Sequence, residues 1–358
     1  MSALYEPPTS PGQDWFPAAR DNLWLSFTRH SSFYGENRRD VPMIIRGEGI
    51  YLYDDHGRRL IDGLGGLFTT QIGHGREELA QAAYDQIKKL DFFPLWGLAH
   101  EKAAALAERL ASLAPGDLNR VFFSSTGSEA VESAWKMLKQ YYKLTGRPLK
   151  HKVISRYLSY HGTTQGALSI TGLPTAKQFF EPLVPSTIKV PNTNFYRAPE
   201  HLRDDLAAFG RYCADEIEQA IIMEGPETIA AVFIEPVQNS GGCFVPPPGY
   251  LERIREICDR HGILLIFDEV ITGFGRLGHA FAAERFGVVP DLLTFAKGVT
   301  SGTVPMGGVM CRQHIYDAFM NGPDHVIELF HGYTYTGHPI AAAAGDGAGV
   351  ARDWRHAG

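Results

Sequence analysis

The sequence predicts an α/β fold: a doubly wound, mostly parallel sheet with helices on both faces, preceded by an arm and a hairpin. Three observations carry this. Near-continuous apolar runs of strand length recur, among them Ile263-Leu-Leu-Ile-Phe267 and Leu292-Leu-Thr-Phe-Ala296, as in strands buried on both faces. Segments of helical periodicity alternate with such runs from Arg76 onward. The 358 residues, 44% hydrophobic and 21% charged, suffice for one large α/β domain with smaller additions.

The bulk numbers also exclude function classes. A net charge of −6 gives no nucleic-acid footprint. Cys213, Cys243, Cys258 and Cys311 show neither a CxxC pair nor ligand-like spacing, which argues against a disulfide framework or a zinc site and suits a reducing compartment. Residues 1–20 are proline-rich, without an apolar core behind basic residues, and no apolar run approaches membrane length. The expectation is a cytoplasmic protein with no membrane partner.

Taken in order, residues 1 to about 40 read as an arm. Trp15, Phe16, Trp24, Phe27, Phe33 and Tyr34 need a surface to cover, yet they show little periodicity. Ile50 to Gly57 followed by Arg58 to Asp62 predicts a hairpin with an Asp- and Gly-bearing turn. Gly63-Leu-Gly-Gly-Leu-Phe68 is too rich in glycine for a regular element and predicts a loop. Leu79, Ala83, Ile87 and Leu90 recur at helical spacing, as do Leu106, Leu110 and Leu113. Val121-Phe-Phe123 predicts a strand, Val131, Ala134, Trp135 and Leu138 a helix, and Val153-Ile154 a further strand. After a less regular middle come a strand at Ala231–Glu235 and a helix face at Leu251, Ile254 and Ile257. The strands ending at Asp268 and near Lys297 close the series.

Several strand ends carry chemistry. Ser124-Ser-Thr126-Gly-Ser128-Glu129 lies between a strand and a helix, and Thr126 with Glu129 fits a capping box. Gly127 and Ser128 then fall in the first helical turn, where free N–H groups and the helix dipole favour an anion. Alone, this is also an ordinary well-capped helix. Tyr160-His-Gly162 offers an aromatic face that could stack on a ring or merely fill a domain edge. His161, His331 and His338 lack the spacing of metal ligands. Gly273-Phe-Gly275-Arg-Leu-Gly278 matches GxGxxG, but Asp268-Glu269 occupy the strand end where a pyrophosphate would sit, and no acidic strand end follows about twenty residues on. It predicts a glycine-rich loop lining a crevice rather than a dinucleotide site.

Asp268 alone would be an ordinary capping or paired residue, and Lys297 alone a surface charge. Together with the anion turn, however, both end buried strands on one edge of a parallel sheet. A desolvated lysine can form a Schiff base with a carbonyl, and a carboxylate can hold a pyridine nitrogen protonated. Those are the protein-side requirements of pyridoxal phosphate chemistry.

Thr126-Gly-Ser-Glu-Ala130, Tyr160-His-Gly162, Glu235-Pro-Val237, Asp268-Glu-Val270 with Gly273-Phe-Gly-Arg276, Ala296-Lys-Gly298, and Gly332-Tyr-Thr334 with Gly337-His-Pro339 stand in an order that resembles the class III aminotransferases, fold-type I pyridoxal 5'-phosphate enzymes. The resemblance runs from about Val41 to Ala344. It implies that Lys297 carries the cofactor as a Schiff base, that Asp268 pairs with the pyridine nitrogen, and that Gly127 and Ser128 hold the phosphate. Thr334 would reach the phosphate of a neighbouring subunit in a homodimer. Tyr160 and Val270 would flank the ring, and Glu235 matches a position close to it. Within the family the chain is most similar to the omega-amino-acid (β-alanine):pyruvate group. Ile271 stands where ornithine and GABA enzymes usually have glutamine, and Ser240 where several carry a glutamate gate. Leu67, Phe68, Trp96 and Thr163 match positions lining an apolar substrate pocket. The resemblance thus implies ping-pong transfer from an amino donor to a keto acid acceptor. The competing readings are an aminomutase with the same cofactor and a fragment that binds without turnover.

The same resemblance divides the chain into 1–75 (arm and hairpin, part of a small domain), 76–340 (large cofactor-binding domain) and 341–358. In the last segment Gly345, Gly347 and Gly349 fall where the family has a long helix, each costing a helix interior about 1 kcal/mol. This composition predicts a premature or frame-shifted start of the C-terminal small domain, to which the family's substrate-carboxylate arginine belongs.

Overall fold

The structure, a computed structural model, describes residues 15–36, 38–322 and 324–349. The chain divides into two compact units, one reaching Leu64 and including Gly73–Gly75, the other holding Gly65–Ile72 and the residues from Arg76 on.

In the first unit a helix, Phe16–Asn22, precedes a three-stranded antiparallel sheet of β1 (Ile44–Glu48), β2 (Tyr51–Asp54) and β3 (Arg59–Ile61) in that order. The predicted hairpin is β2–β3, with Leu52 opposite Leu60. Its turn is closed by the buried Asp54 carboxylate, which accepts from the N–H groups of His56 (3.1 Å) and Arg58 (2.8 Å) and from Arg58 Nε (2.6 Å). Aspartate favours turns for this reason. The sequence reading missed β1: Ile-Ile-Arg-Gly-Glu has no alternation and stays largely exposed, so only pairing with β2 defines it.

The second unit is built on a seven-stranded sheet of order β4-β10-β9-β8-β7-β5-β6. Its strands are β4 (Leu118–Ser124), β5 (Lys152–Arg156), β6 (Thr187–Val190), β7 (Ile229–Ile234), β8 (Leu264–Asp268), β9 (Leu292–Phe295) and β10 (Gly307–Arg312). Pairing is parallel from β9 through β6, whereas β10 runs antiparallel to both β9 and β4. Reversed twice, β4 therefore points the same way as β9. The carboxyl ends of six strands share one edge, as the sequence predicted for the three that matter.

Both sheet faces are covered. Ile234, Leu265, Phe267, Leu293 and Phe295 pack with the helices Glu101–Leu113, Leu206–Glu224 and Tyr250–His261. Their neighbours Phe233, Ile266, Leu292 and Val309 point the opposite way, against Gly127–Leu144. The sequence reading missed β10, which opens on Gly307-Gly308. A Cβ on either would come within 2.6 Å of a backbone oxygen, Thr126 O or Phe122 O, so strand propensity gave way to close approach. It also missed the short β6 and the helix Leu206–Glu224, whose Gly210 admits Pro247 to contact.

The predicted boundary at 340 falls inside a continuous element. Helix Pro339–Ala344 buries Ala341 to Ala344 in this unit, and a wider helical turn, Gly345–Gly349, continues it. Lys102 pairs with Asp346 at 3.2 Å, and a Cβ on Gly345 would lie 3.0 Å from Leu106. Glycine at 345 thus serves packing. The remainder of the predicted aberrant tail, 350–358, lies outside the described residues. Among the described residues, no helix is long and apolar enough to cross a membrane.

Candidate active site

At the end of β4, Thr126 caps the helix Gly127–Leu144, its Oγ1 accepting from Glu129 N at 3.2 Å. The Glu129 carboxylate reaches back to Ser125 N (2.7 Å), one residue earlier than a standard capping box. Gly127 has no room for a side chain: a Cβ would lie 3.1 Å from both Val270 methyls and 3.6 Å from Ala296. The helix N-terminus is therefore pressed against the ends of β8 and β9. Ser128 Oγ accepts from Thr163 N at 3.1 Å, which leaves its hydroxyl hydrogen free to donate.

Asp268 ends β8, buried, and is fixed by three groups. Its Oδ2 lies 2.7 Å from His161 Nδ1, while Oδ1 accepts from Val270 N (3.1 Å) and Thr294 Oγ1 (3.2 Å). Burial holds the His161 imidazole below the usual histidine range, against the pull of Asp268, and its Nε2 has no partner among the described residues. Tyr160, half-buried beside it, has its phenol raised by burial and by the Asp268 charge. Glu269, the other carboxylate of the pair, turns away. It accepts from Ala282 N (2.6 Å), Ala283 N (2.8 Å) and Thr272 Oγ1 (2.9 Å), and burial pushes it up to about 7. It thus ties down the glycine-rich loop, which folds back on itself through Phe274 N to Ala280 O and Gly275 N to His279 O. That closed turn is not the strand-to-helix crossing a dinucleotide site needs.

Lys297 follows β9, which pairs with β8 so that Asp268 faces Thr294. Its φ of 45° is left-handed, a conformation that costs a non-glycine residue about 1–2 kcal/mol and here begins the 3-10 turn Lys297–Thr300. Burial lowers the amine's pKa, while Asp268 and Glu235 oppose that shift. Glu235, just past β7, is driven up to about 8 by burial, with Arg156 opposing. Its carboxyl takes a hydrogen bond from the Tyr160 N–H, and its Oε2 lacks a partner among the described residues.

The remaining predicted positions fall into two groups. The Phe68 ring lies 6.0 Å from Lys297 Nζ, carried on a left-handed turn in which Gly65, Gly66, Leu67 and Phe68 all have φ between 57° and 66°. The predicted loop is therefore a strained turn aimed at the amine. Leu67, Trp96, Thr163 and Ser240 are exposed and form no closed wall among the described residues. Thr334 is likewise exposed, in a segment held to the helix Gly127–Leu144 by Tyr333 Oη donating to Glu129 O (3.2 Å) and by His331 Nε2 with Ser133 Oγ (2.9 Å). Two contributors escaped the sequence reading. His161 was weighed only as a metal ligand, although its place in Tyr-His-Gly was a usable signal. Gln71, whose Nε2 donates to Gly273 O at 3.1 Å, gave none.

This constellation can be set beside known proteins. The aminotransferase class-III family profile matches residues 34–348. A probable aminotransferase of Mycobacterium tuberculosis is 57% identical over 324 residues, 90% of this chain and 67% of that protein. The β-alanine–pyruvate aminotransferase of Pseudomonas aeruginosa is 43% identical over 90% of this chain and 71% of its own length. A thermostable (S)-enantioselective omega-transaminase from Thermomicrobium roseum superposes with a TM-score of 0.87 at 42% identity, covering 92% of this chain and 72% of that one. The chain is a class III aminotransferase. Class III aminotransferases are fold-type I enzymes that work with pyridoxal 5'-phosphate. The donor set of this aminotransferase fits that group. A largely buried primary amine, a buried carboxyl group with its own hydrogen-bonded partner, and the N-terminus of an 18-residue helix all open on one sheet edge.

Proposed function

We propose that this aminotransferase moves an amino group from an omega-amino acid or amine to a keto acid, with pyruvate the first acceptor to test, by a ping-pong sequence. The observation that carries the reading is the placement of Lys297 and Asp268 at the ends of adjacent parallel strands, with the amine largely buried. Bound there, pyridoxal phosphate supplies an electrophilic carbonyl and an electron sink. The protein supplies the rest. Gly127 and Ser128 N–H groups and the Ser128 hydroxyl would hold the phosphate. Asp268, kept in place by His161, would hold a proton on the pyridine nitrogen. Tyr160 and Val270 would flank the ring, and Glu235 would lie at its edge.

Lys297 would form the covalent link and then, released as a free amine, shuttle the proton at the reacting carbon. That role requires a neutral amine near neutral pH, the direction in which burial moves it. Phe68 would confine the amine to the pocket. The likeness to β-alanine– and omega-amino-acid–pyruvate enzymes supports the donor class. The exposed Leu67, Trp96, Thr163, Ser240 and Thr334 are consistent with a pocket completed by a second copy in a cytoplasmic homodimer. Two measurements test the reading. Borohydride should fix a pyridoxyl adduct on Lys297, lost in Lys297→Ala, and β-alanine should bleach the visible band that pyruvate restores. Bleaching in Lys297→Ala, or an adduct fixed elsewhere, would overturn the assignment.

A further inference from the structure

Arg156, the last residue of β5, is among the largest side chains that the fold buries completely. Its Nη2 donates to the Glu235 main-chain carbonyl, whereas Nε and Nη1 have no partner among the described residues. A guanidinium offers donors only and stays charged, so its burial requires an answering charge or dipole. The candidates around it are few. The Tyr250 ring lies 5.9 Å from the guanidinium carbon, and burial raises its phenol, keeping it neutral. Burial pushes the Cys213 thiol up to about 12, so it too is neutral. His161 and Lys189 are further basic groups in that region. The Arg156 hydrogen bond holds the Glu235 main chain, and the carboxyl that feels its charge is that of Glu235, which also feels Asp268, the Tyr160 N–H and Lys297.

We propose that Arg156 is a positioning residue for the amino-transfer step: it fixes Glu235 at the pocket floor and sets the charge that this carboxyl presents to the Lys297 amine. The inference rests on the reading of Lys297 given above. Its sign follows from the groups on each side. Glu235 gains its charge as pH passes about 8, and that charge then helps Lys297 keep its proton. Without Arg156 the carboxyl stays neutral to higher pH, and Lys297 loses its proton earlier. Asp268, the other carboxylate facing Lys297, keeps its bonds to His161, Val270 and Thr294 and is unaffected.

The test uses the full chain without cofactor. Lys297 is acetylated with trace acetic anhydride at a series of pH values, and its peptide is quantified by mass spectrometry. Arg156→Met should lower the pH of half-labelling by about one unit, the scale of a close charge partner. Glu235→Gln should lower it comparably, and adding Arg156→Met to Glu235→Gln should move it no further. An unmoved profile, or an equal shift in both backgrounds, overturns the proposal. Should Arg156→Met not fold, Arg156→Gln, neutral but still a donor for the Glu235 carbonyl, decides: a shift present with Glu235 and absent with Gln at 235 supports the coupling, and no shift or an equal one overturns it. An absent borohydride adduct on wild-type Lys297 would sink the proposed function, yet this cycle would still read the Arg156–Glu235–Lys297 coupling.

Discussion

Gly298 gives the sharpest test of how the lysine turn is held. A Cβ placed there would lie 2.3 Å from Gln71 Oε1 and 2.7 Å from its Cδ and Nε2, so Gln71 must move. Moving it breaks the bond from Gln71 Nε2 to Gly273 O, which joins the segment bearing Phe68 to the glycine-rich loop. The colliding atoms are the tip of a flexible side chain that can swing aside, so the cost is that of the lost hydrogen bond, and Gly298→Ala should destabilise by about 1 kcal/mol. Gln71→Ala alone should also cost about 1 kcal/mol, and in Gln71→Ala/Gly298→Ala the collision is gone, leaving a cost near that of Gln71→Ala. Urea unfolding of the four proteins, read from midpoints at constant slope, measures this non-additivity. Additive costs, or a Gly298→Ala change below about 0.5 kcal/mol, would refute the claim that Gln71 occupies the space a side chain needs.

Three further outcomes follow from the geometry. Asp268→Asn should keep the fold by circular dichroism but slow amino transfer roughly 10²–10³-fold, the scale of losing one preorganised electrostatic group; a loss of only a few-fold would remove Asp268 from the machinery. Glu235 and Glu269 are raised from 4.5 to about 8 and about 7, so the folded state holds their protons more tightly than the unfolded chain does. Their contribution to stability is complete below the ordinary carboxylate range and is lost as pH rises through about 7 to 8. Glu269→Gln should flatten that decline in the urea midpoint, and an unchanged slope would contradict it. Lys150→Met should cost about 2–3 kcal/mol while leaving the Lys297 adduct intact. Its Nζ, at the opposite sheet edge, donates to Pro226 O (2.8 Å) and Ile229 O (3.0 Å). A lost adduct in a folded variant would contradict that separation.

What was legible in the sequence is what depends on local pattern. Buried strands such as Leu264–Asp268 announce themselves by unbroken apolar runs, and the capped turn before Gly127 by a capping residue three places before a glutamate. Convergence of Lys297, Asp268 and Gly127 on one edge followed from strand direction alone. Less legible was everything set by partners distant in the chain. Gly307-Gly308 reads as a strand breaker, and only the approach of the Thr126 and Phe122 carbonyls makes it the start of β10. Asp268 and Glu269 are adjacent and chemically alike, yet one faces the site and the other caps a helix, because successive residues point to opposite sides. The left-handed turn at Leu67-Phe68 could not be read at all, since neither side chain prefers that backbone.

The charge arrangement around Lys297 explains why the fold needs its buried partners. Two carboxyls within electrostatic reach of one amine, if both were fully charged, would hold its proton and leave no base. The structure avoids this by treating them differently. Asp268 is committed through His161, Val270 and Thr294. Glu235 has fewer partners: its carboxyl takes the Tyr160 N–H, its Oε2 has none among the described residues, and burial keeps it protonated until about pH 8. Near neutral pH the amine therefore faces one tethered carboxyl group and one neutral acid, a balance that eases the loss of its proton. Replacing His161 with Phe should disturb it from the other side, because Asp268 Oδ2 would then be free to pair with Lys297. Lys297 acetylation in that variant should shift to higher pH, and a shift to lower pH would show that His161 does not restrain the carboxylate.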